Sequence, residues 1–407
     1  MAGQNAPKAS PMRPALARFL LPGPVVALGV TQIVGYGTLY YAFGVLVPAI
    51  SRELGMSQGL LFGGFSAALL AGGLVALPVG RRIDRIGARR VMAAGSVAAA
   101  VALGAMALAV GPATLIAALV ATQLASALVL YDAAFAALAQ GLGSARARRA
   151  ITQMTLFGGF ASTLFWPLTE AMAGAIGWRA TLGCYALVHL LLCLPLHLRL
   201  RASPDPEAMP AARLPARVWT PLPAASQARA LGWLTLSLST VGFVFAALTA
   251  QWVTALGALG VASGAAVAAG ALMGPAQVGV RLLEMLFGQR LHPLGTAMIS
   301  SLMLVAALAL LLLGGSGPLT VALFAAVFGL AQGLSSLVRG AAVLALFGPE
   351  GFAARLGMIA IFRMTSGALA PVALAFALTL WRAEMAMFAA LALAAISALA
   401  LMMVPRA

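Results

Sequence analysis

Charge is scarce in this sequence. Asp, Glu, Lys and Arg together make up 8% of its 407 residues, with only 9 acids against 25 bases. It has 3 histidines and 2 cysteines. Cys184 and Cys193 stand nine residues apart on one expected helix, about 13 Å, beyond the reach of a disulfide. Two cysteines make no metal site by themselves, and the 18 methionines are scattered. Neither His292 with Met298 nor Met385 with Met387 shares a helix face, so copper import stays a minor alternative. No P-loop, nucleophile–base set or soluble lobe is present, which argues against an enzyme or an ATP-driven machine and predicts no cofactor. What fills the chain is apolar: 62% hydrophobic residues and a mean hydropathy of +1.02, well beyond the roughly half expected of a soluble globular protein.

A bilayer core takes about 20 apolar residues per helix. Apolar runs of that order fall at about 22–50, 57–79, 91–110, 113–141, 150–172, 180–198, 231–256, 261–288, 294–313, 319–347, 354–379 and 384–404. The expected fold is therefore an all-α polytopic membrane protein of twelve spans. The runs are continuous instead of alternating, which excludes a β-barrel. Residues 1–21 form an expected amino-terminal arm with no signal-peptide pattern, and 199–230 a proline- and arginine-rich linker. That linker divides 22–198 from 231–404, six spans from six.

Arginines orient the chain. One side collects Lys8, Arg13 and Arg18, the cluster from Arg81 to Arg90, Arg146, Arg148 and Arg149, and the linker arginines; the other receives Arg52, Arg179 and Arg382. The positive-inside rule makes the first side cytoplasmic, with both termini on it. An inner-membrane location follows, and the net charge of +16 needs no nucleic acid to explain it. One twelve-span chain holds both halves of a pathway, so a monomer is expected.

The halves repeat. Gly80 and Gly87 flank the arginine cluster after span two, and Gly288 and Gly295 flank "GQRLHPLG" after span eight. "WRA" follows span five at Trp178 and span eleven at Trp381. The loop pattern Gly80-x3-Asp84-Arg85-x-Gly87-x-Arg89-Arg90 resembles the signature of the major facilitator superfamily of secondary transporters. That resemblance implies two pseudo-symmetric six-helix bundles and alternating access. It also implies that Asp84 approaches the amino end of span eleven near Ala354, with the arginines, Arg85 and Arg90 among them, in cytoplasmic ion pairs. Asp84 then latches the inner side shut. Its counterpart, His292, is not acidic, so the second copy is expected to close by packing.

Charges and amides within the spans are the candidates for function, because each is expensive in lipid. Gln32, Tyr36 and Tyr40 recur every four residues in span one. Gln123 and Asp132 lie in span four, Trp166 and Glu170 in span five, and Gln251 closes span seven. Arg281 and Glu284 stand one turn apart in span eight, where they either pair or divide the work of anchoring a substrate and carrying a proton. Gln332, Ser336 and Arg339 lie in span ten, and Arg363 in span eleven. Asp132, with no base within a turn, is the isolated proton carrier. Arg281 and Arg363 match the helices that supply cationic residues in the monocarboxylate and oxalate branches of the superfamily, although both lie toward the inner end and the acidic-glycine motif of the animal monocarboxylate carriers is missing. The expected function is proton-coupled transport of a small solute, an organic anion by the arginines. A drug or metabolite exporter is the main rival, and a lipid-handling membrane protein the remaining one.

Overall fold

The computed structural model describes residues 23–200, 219–287 and 291–405. The expected arm, most of the linker, and Gly288 and Arg290 of the second loop lie outside the described residues, as does the side chain of Trp166. Among the described residues ten helices are long and apolar enough to cross a membrane, eleven when the two pieces of span two, bent by 41°, count as one. The remaining span is the fifth. It runs as Ser144–Gly158 and then the first part of Ala161–Val188. Gly177 (φ 80°, ψ 161°) breaks that second helix where spans five and six divide. Three arginines at its start, Arg146, Arg148 and Arg149, dilute the apolar signal of span five.

The other spans are Gly23–Leu54, Gln58–Leu74 with Ala76–Ile86, Ala88–Ala107, Pro112–Val129 with Tyr131–Leu142, and a sixth ending at Leu198. The second half has Ala224–Ala250, Ser263–Phe287, Pro293–Gly314, Pro318–Phe347, Phe352–Leu380 and Ala383–Met402. Span seven thus begins at Ala224, inside the expected linker. Leucines such as Leu108, Leu191 and Leu313 stand more than 70% exposed, an apolar girdle that only lipid can cover.

Three apolar cores hold the bundle. Two belong to single halves: Leu39, Leu46 and Leu103 with Tyr185 in the first, and Phe245, Trp252, Phe324 and Phe328 in the second. The third is shared, and packs Leu28, Ile83, Phe135 and Ile151 of the first half with Val338, Phe347, Phe352 and Leu356 of the second. All of these lie toward the end that carries the Asp84 loop. The halves are joined there, and at the opposite end each keeps a core of its own.

Two of the breaks in the first half fall in spans one and four. Span one contains a π turn, Gly37–Tyr41, closed by the Ala42 amide on the Gly37 carbonyl. Span four is interrupted at Leu130, whose backbone is extended (φ −80°, ψ −168°). Breaks free backbone groups that lipid cannot solvate, so side chains must take them. Gln32 donates to the Val129 carbonyl (2.9 Å) and Gln123 to the Leu39 carbonyl (2.8 Å).

Candidate functional site: a closed end and an arginine-lined floor

At the joined end, Asp84 accepts from the Ala353 amide at Oδ1 (3.1 Å) and from the Ala354 amide at Oδ2 (2.8 Å). These are free amides in the first turn of span eleven, where the helix dipole favours an anion. Helix approach makes the bond possible. A Cβ at Gly80 would collide with the Ala353 carbonyl, and one at Gly357 with the Ala76 carbonyl. The loop is held from within its own half by Gln140, which accepts from the Ala88 amide (2.8 Å) and donates to the Ile83 carbonyl (3.3 Å). Sequence reasoning passed over Gln140. Gly87 turns the chain at φ 87°. Arg85 and Arg90 are exposed and form no ion pair among the described residues; Asp205 and Glu207 of the linker lie outside them.

The second loop closes differently from the expected packing. His292 caps its own helix by accepting from the Leu294 amide (3.1 Å). The polar contact comes from span five: Arg148 donates to Glu284 (3.3 Å) and to the Leu291 carbonyl. Thr152 donates to the other oxygen of Glu284 (3.1 Å). Glu284 is therefore a buried partner of the first half, and of the two alternatives for Arg281 and Glu284 their pairing with each other does not form. One turn separates the two residues along the helix, but the facing helix offers Glu284 a cation of its own.

About 15 Å along span eleven from this closed end, the charges of three spans meet the break in span four. Asp132 sits in the first turn after the break. Arg339 reaches its Oδ1 at 3.3 Å and Arg363 its Oδ2 at 3.9 Å. Asp132 is thus bridged between two guanidiniums, which corrects the reading of it as isolated; its bases come from distant spans. Tyr131 stacks on Phe135 (5.4 Å between centroids) and meets Tyr36 at 4.7 Å. Tyr36 stands within electrostatic reach of Asp132, Arg339 and Arg363, and Tyr131 within reach of Arg281 and Arg339. Arg281 contacts Gln277 (3.5 Å), which donates to Gln332 (2.8 Å), which donates to Thr249 (3.3 Å). Gln277 and Thr249 complete a polar strip over spans seven, eight and ten of which the sequence alone points to Arg281 and Gln332.

Several expected lining residues are elsewhere. Gln32 and Gln123 are fully buried braces of the two breaks. The π turn, with its wider repeat, rotates Tyr40 off the Tyr36 face: Tyr40 packs on Phe65 (5.7 Å), and Tyr41 takes the place near Tyr131 and Arg281. Gln251 donates to the Pro371 carbonyl (3.3 Å) near the unjoined end. Ser336 is satisfied by the Gly333 carbonyl of its own helix (2.7 Å).

The sequence profile of the Major Facilitator Superfamily matches residues 29–319. The chain belongs to this superfamily. It is a multi-pass membrane transporter, and its fold agrees with solved members. The human organic anion transporter MFSD10 (TETRAN) superimposes with a TM-score of 0.70 at 17% identity, covering 97% of this chain and 100% of that one. FucP, solved in the outward conformation, gives 0.68 at 12% identity with coverage of 96% and 100%. The proton:xylose symporter XylE, bound to 6-bromo-6-deoxy-D-glucose, gives 0.67 at 12% identity with coverage of 94% and 96%. No curated protein sequence matches the chain. At these identities the solved structures speak to fold alone.

Proposed function

We propose that the protein is a proton-coupled transporter of a small organic anion, working as a monomer in the inner membrane with both termini in the cytoplasm. The observation that carries this reading is the convergence of Arg281, Arg339 and Arg363 from the second half on Tyr36 and Tyr131, with Asp132 the one carboxylate among them. An excess of guanidinium groups facing aromatic and amide side chains suits a carboxylate, which the planar fork of arginine grips through two parallel bonds. The positive-inside rule makes the joined end cytoplasmic, so the arrangement described is open to the outside. Asp84 on span eleven and Arg148 on Glu284 are then two inner latches, and both must release for the cavity to open inward. With Glu284 engaged by Arg148 and Thr152 and Glu170 exposed on span five, Asp132 is the acid at the site that carries the proton.

The test is uptake by the purified protein in liposomes, with an inward proton gradient and a panel of small carboxylates, amino acids and hydrophobic cations. Carboxylate accumulation that collapses when the gradient is dissipated is the expected result. Extrusion of cations with no carboxylate movement would overturn the reading in favour of a drug exporter.

A further inference from the structure

The bridge at Asp132 bears on how the site receives its cargo. Arg339 and Arg363 point at one carboxylate from two helices of the second half, and that carboxylate belongs to the first half. Without it, two like charges would face each other in a low-dielectric interior, at a cost that falls steeply when an anion is inserted. Among the described residues no other acid is placed to serve. Glu284 is held by Arg148 and Thr152, and Asp84 by the span-eleven amides. The site is also partly open, since the side chains of Asp132 and Arg363 keep 28% and 27% of their surface accessible. A solute can therefore reach the donors that Asp132 occupies. The ring of Phe135 covers a face of Arg339 at 5.9 Å, which leaves Arg339 its hydrogen-bonding edge for a carboxylate.

We propose that Asp132 is an internal counter-anion: it occupies Arg339 and Arg363 in the empty carrier, and the substrate's carboxylate binds by displacing it. This rests on the organic-anion reading above and adds an ordered competition to it. The same chemical group, tethered or free, satisfies the arginine pair in both states of the cycle. The empty carrier can then pass through an occluded state without two unpaired buried cations, which permits net transport as well as exchange. Neutralising Asp132 releases its hold, and so links the proton to the substrate without any contact between them.

The experiment measures access to the two guanidiniums in the full-length protein in lipid nanodiscs. Phenylglyoxal reacts with unpaired arginine side chains, and mass spectrometry of the peptides reports each position separately. Asp132→Asn should label faster than the unmodified protein at both positions, about tenfold at Arg339, which loses a charge-assisted bond, and less at Arg363, whose contact at 3.9 Å is ionic without a hydrogen bond, with Arg281 unchanged. Equal rates at both positions would overturn the proposal. Asp132→Glu and Asp132→Gln repeat the comparison one methylene further out, so that a folding defect in one variant does not decide it: a protected Glu form beside a reactive Gln form supports the bridge, and like rates refute it. Acetate, lactate, succinate and benzoate then serve as competing probes. Protection in Asp132→Asn at about a tenth of the concentration needed in the unmodified protein is the expected result. Protection at the same concentration in both would refute displacement and leave the anion reading standing. Protection by none of the four in either protein would refute the anion reading and displacement together.

Discussion

The two halves of this transporter repeat one plan and spend it differently. The first half supplies irregular backbone: a π turn in span one, a break in span four and aromatic rings beside both. The second half keeps spans eight, ten and eleven as single helices and supplies the cations, Arg281, Arg339 and Arg363. Charge is therefore displayed by unbroken helices and met by broken ones. A break exposes the amino end of a half-helix, and Asp132 in its first turn is favoured by that end. An arginine needs only a long arm from an intact helix, so no matching break is required opposite it. The loops show the same division. In the first copy a carboxylate accepts from backbone amides of the other half; the second accepts an arginine from the first half on Glu284 and a carbonyl.

The most severe change at the joined end is steric. Gly80→Val places side-chain atoms where the Ala353 carbonyl lies, so the joined end cannot close as described. The closed state should lose about 3 kcal/mol, roughly 150-fold in its population against the open one. Distances between spin labels on the two halves should shift to the inward-open range and turnover should nearly vanish; an unchanged distribution would remove this crossing from the gate.

Next comes the cation that the first half does not match. Arg281 donates to Gln277, and Glu284 is engaged by Arg148. Arg281→Gln should therefore weaken anion binding by about 2 to 3 kcal/mol, 30-fold to 150-fold, with Lys restoring only part because it lacks the fork. Folding yield should hold, since no buried acid is orphaned. Calorimetry beside a melting curve checks both statements, and a collapse in yield with normal affinity in the surviving protein would make Arg281 structural.

How far the sequence reached can be judged from these residues. The twelve spans were legible because apolar length is a local property, and the Asp84 loop because glycine and aspartate sit at fixed spacing within a few residues. The break at Leu130 was not legible. "ALVLYDAAF" holds no proline or glycine, and the interruption depends on Gln32 taking the Val129 carbonyl from another span. Tyr40 and Tyr41 exchanged places for the same kind of reason: a four-residue period assumes an unbroken α-helix, and one π turn shifts everything beyond it. Pairings over long sequence distance, Asp132 with Arg339 and Glu284 with Arg148, leave no trace in spacing at all.

The two latches can be weighed against each other. Asp84→Asn keeps the volume but can accept through one oxygen where the carboxylate accepts through two, so about 1.5 kcal/mol of closure should go, near tenfold in the inward-open population. Glu284→Gln should cost a similar amount through Arg148, and Arg148→Gln with Glu284→Gln together should cost less than the sum of the singles. Additive effects in that cycle, read from the same label distances, would show that the pair does not act as one latch.

The smallest effect concerns the repeated "WRA". In the first copy Trp178 and Arg179 both donate to Glu53 at the end of span one, Arg179 lies over the Trp178 ring at 4.3 Å, and it also reaches the Ala107 carbonyl of span three. Three helix ends are tied at one point. In the second copy Trp381 is 54% exposed and Arg382, among the described residues, pairs with Glu384, two residues along its own chain, with an arginine side chain 85% exposed. Exposed pairs in a high-dielectric setting contribute little, so the repeated letters carry different consequences. Arg179→Ala should lower the melting midpoint by about 2 °C, because it removes a carbonyl partner and a ring contact as well as a charge. Arg382→Ala should leave the midpoint where it is. Equal shifts in the two variants would mean that the motif acts through what both copies share, its place at a helix boundary, and that the Glu53 tie adds nothing to it.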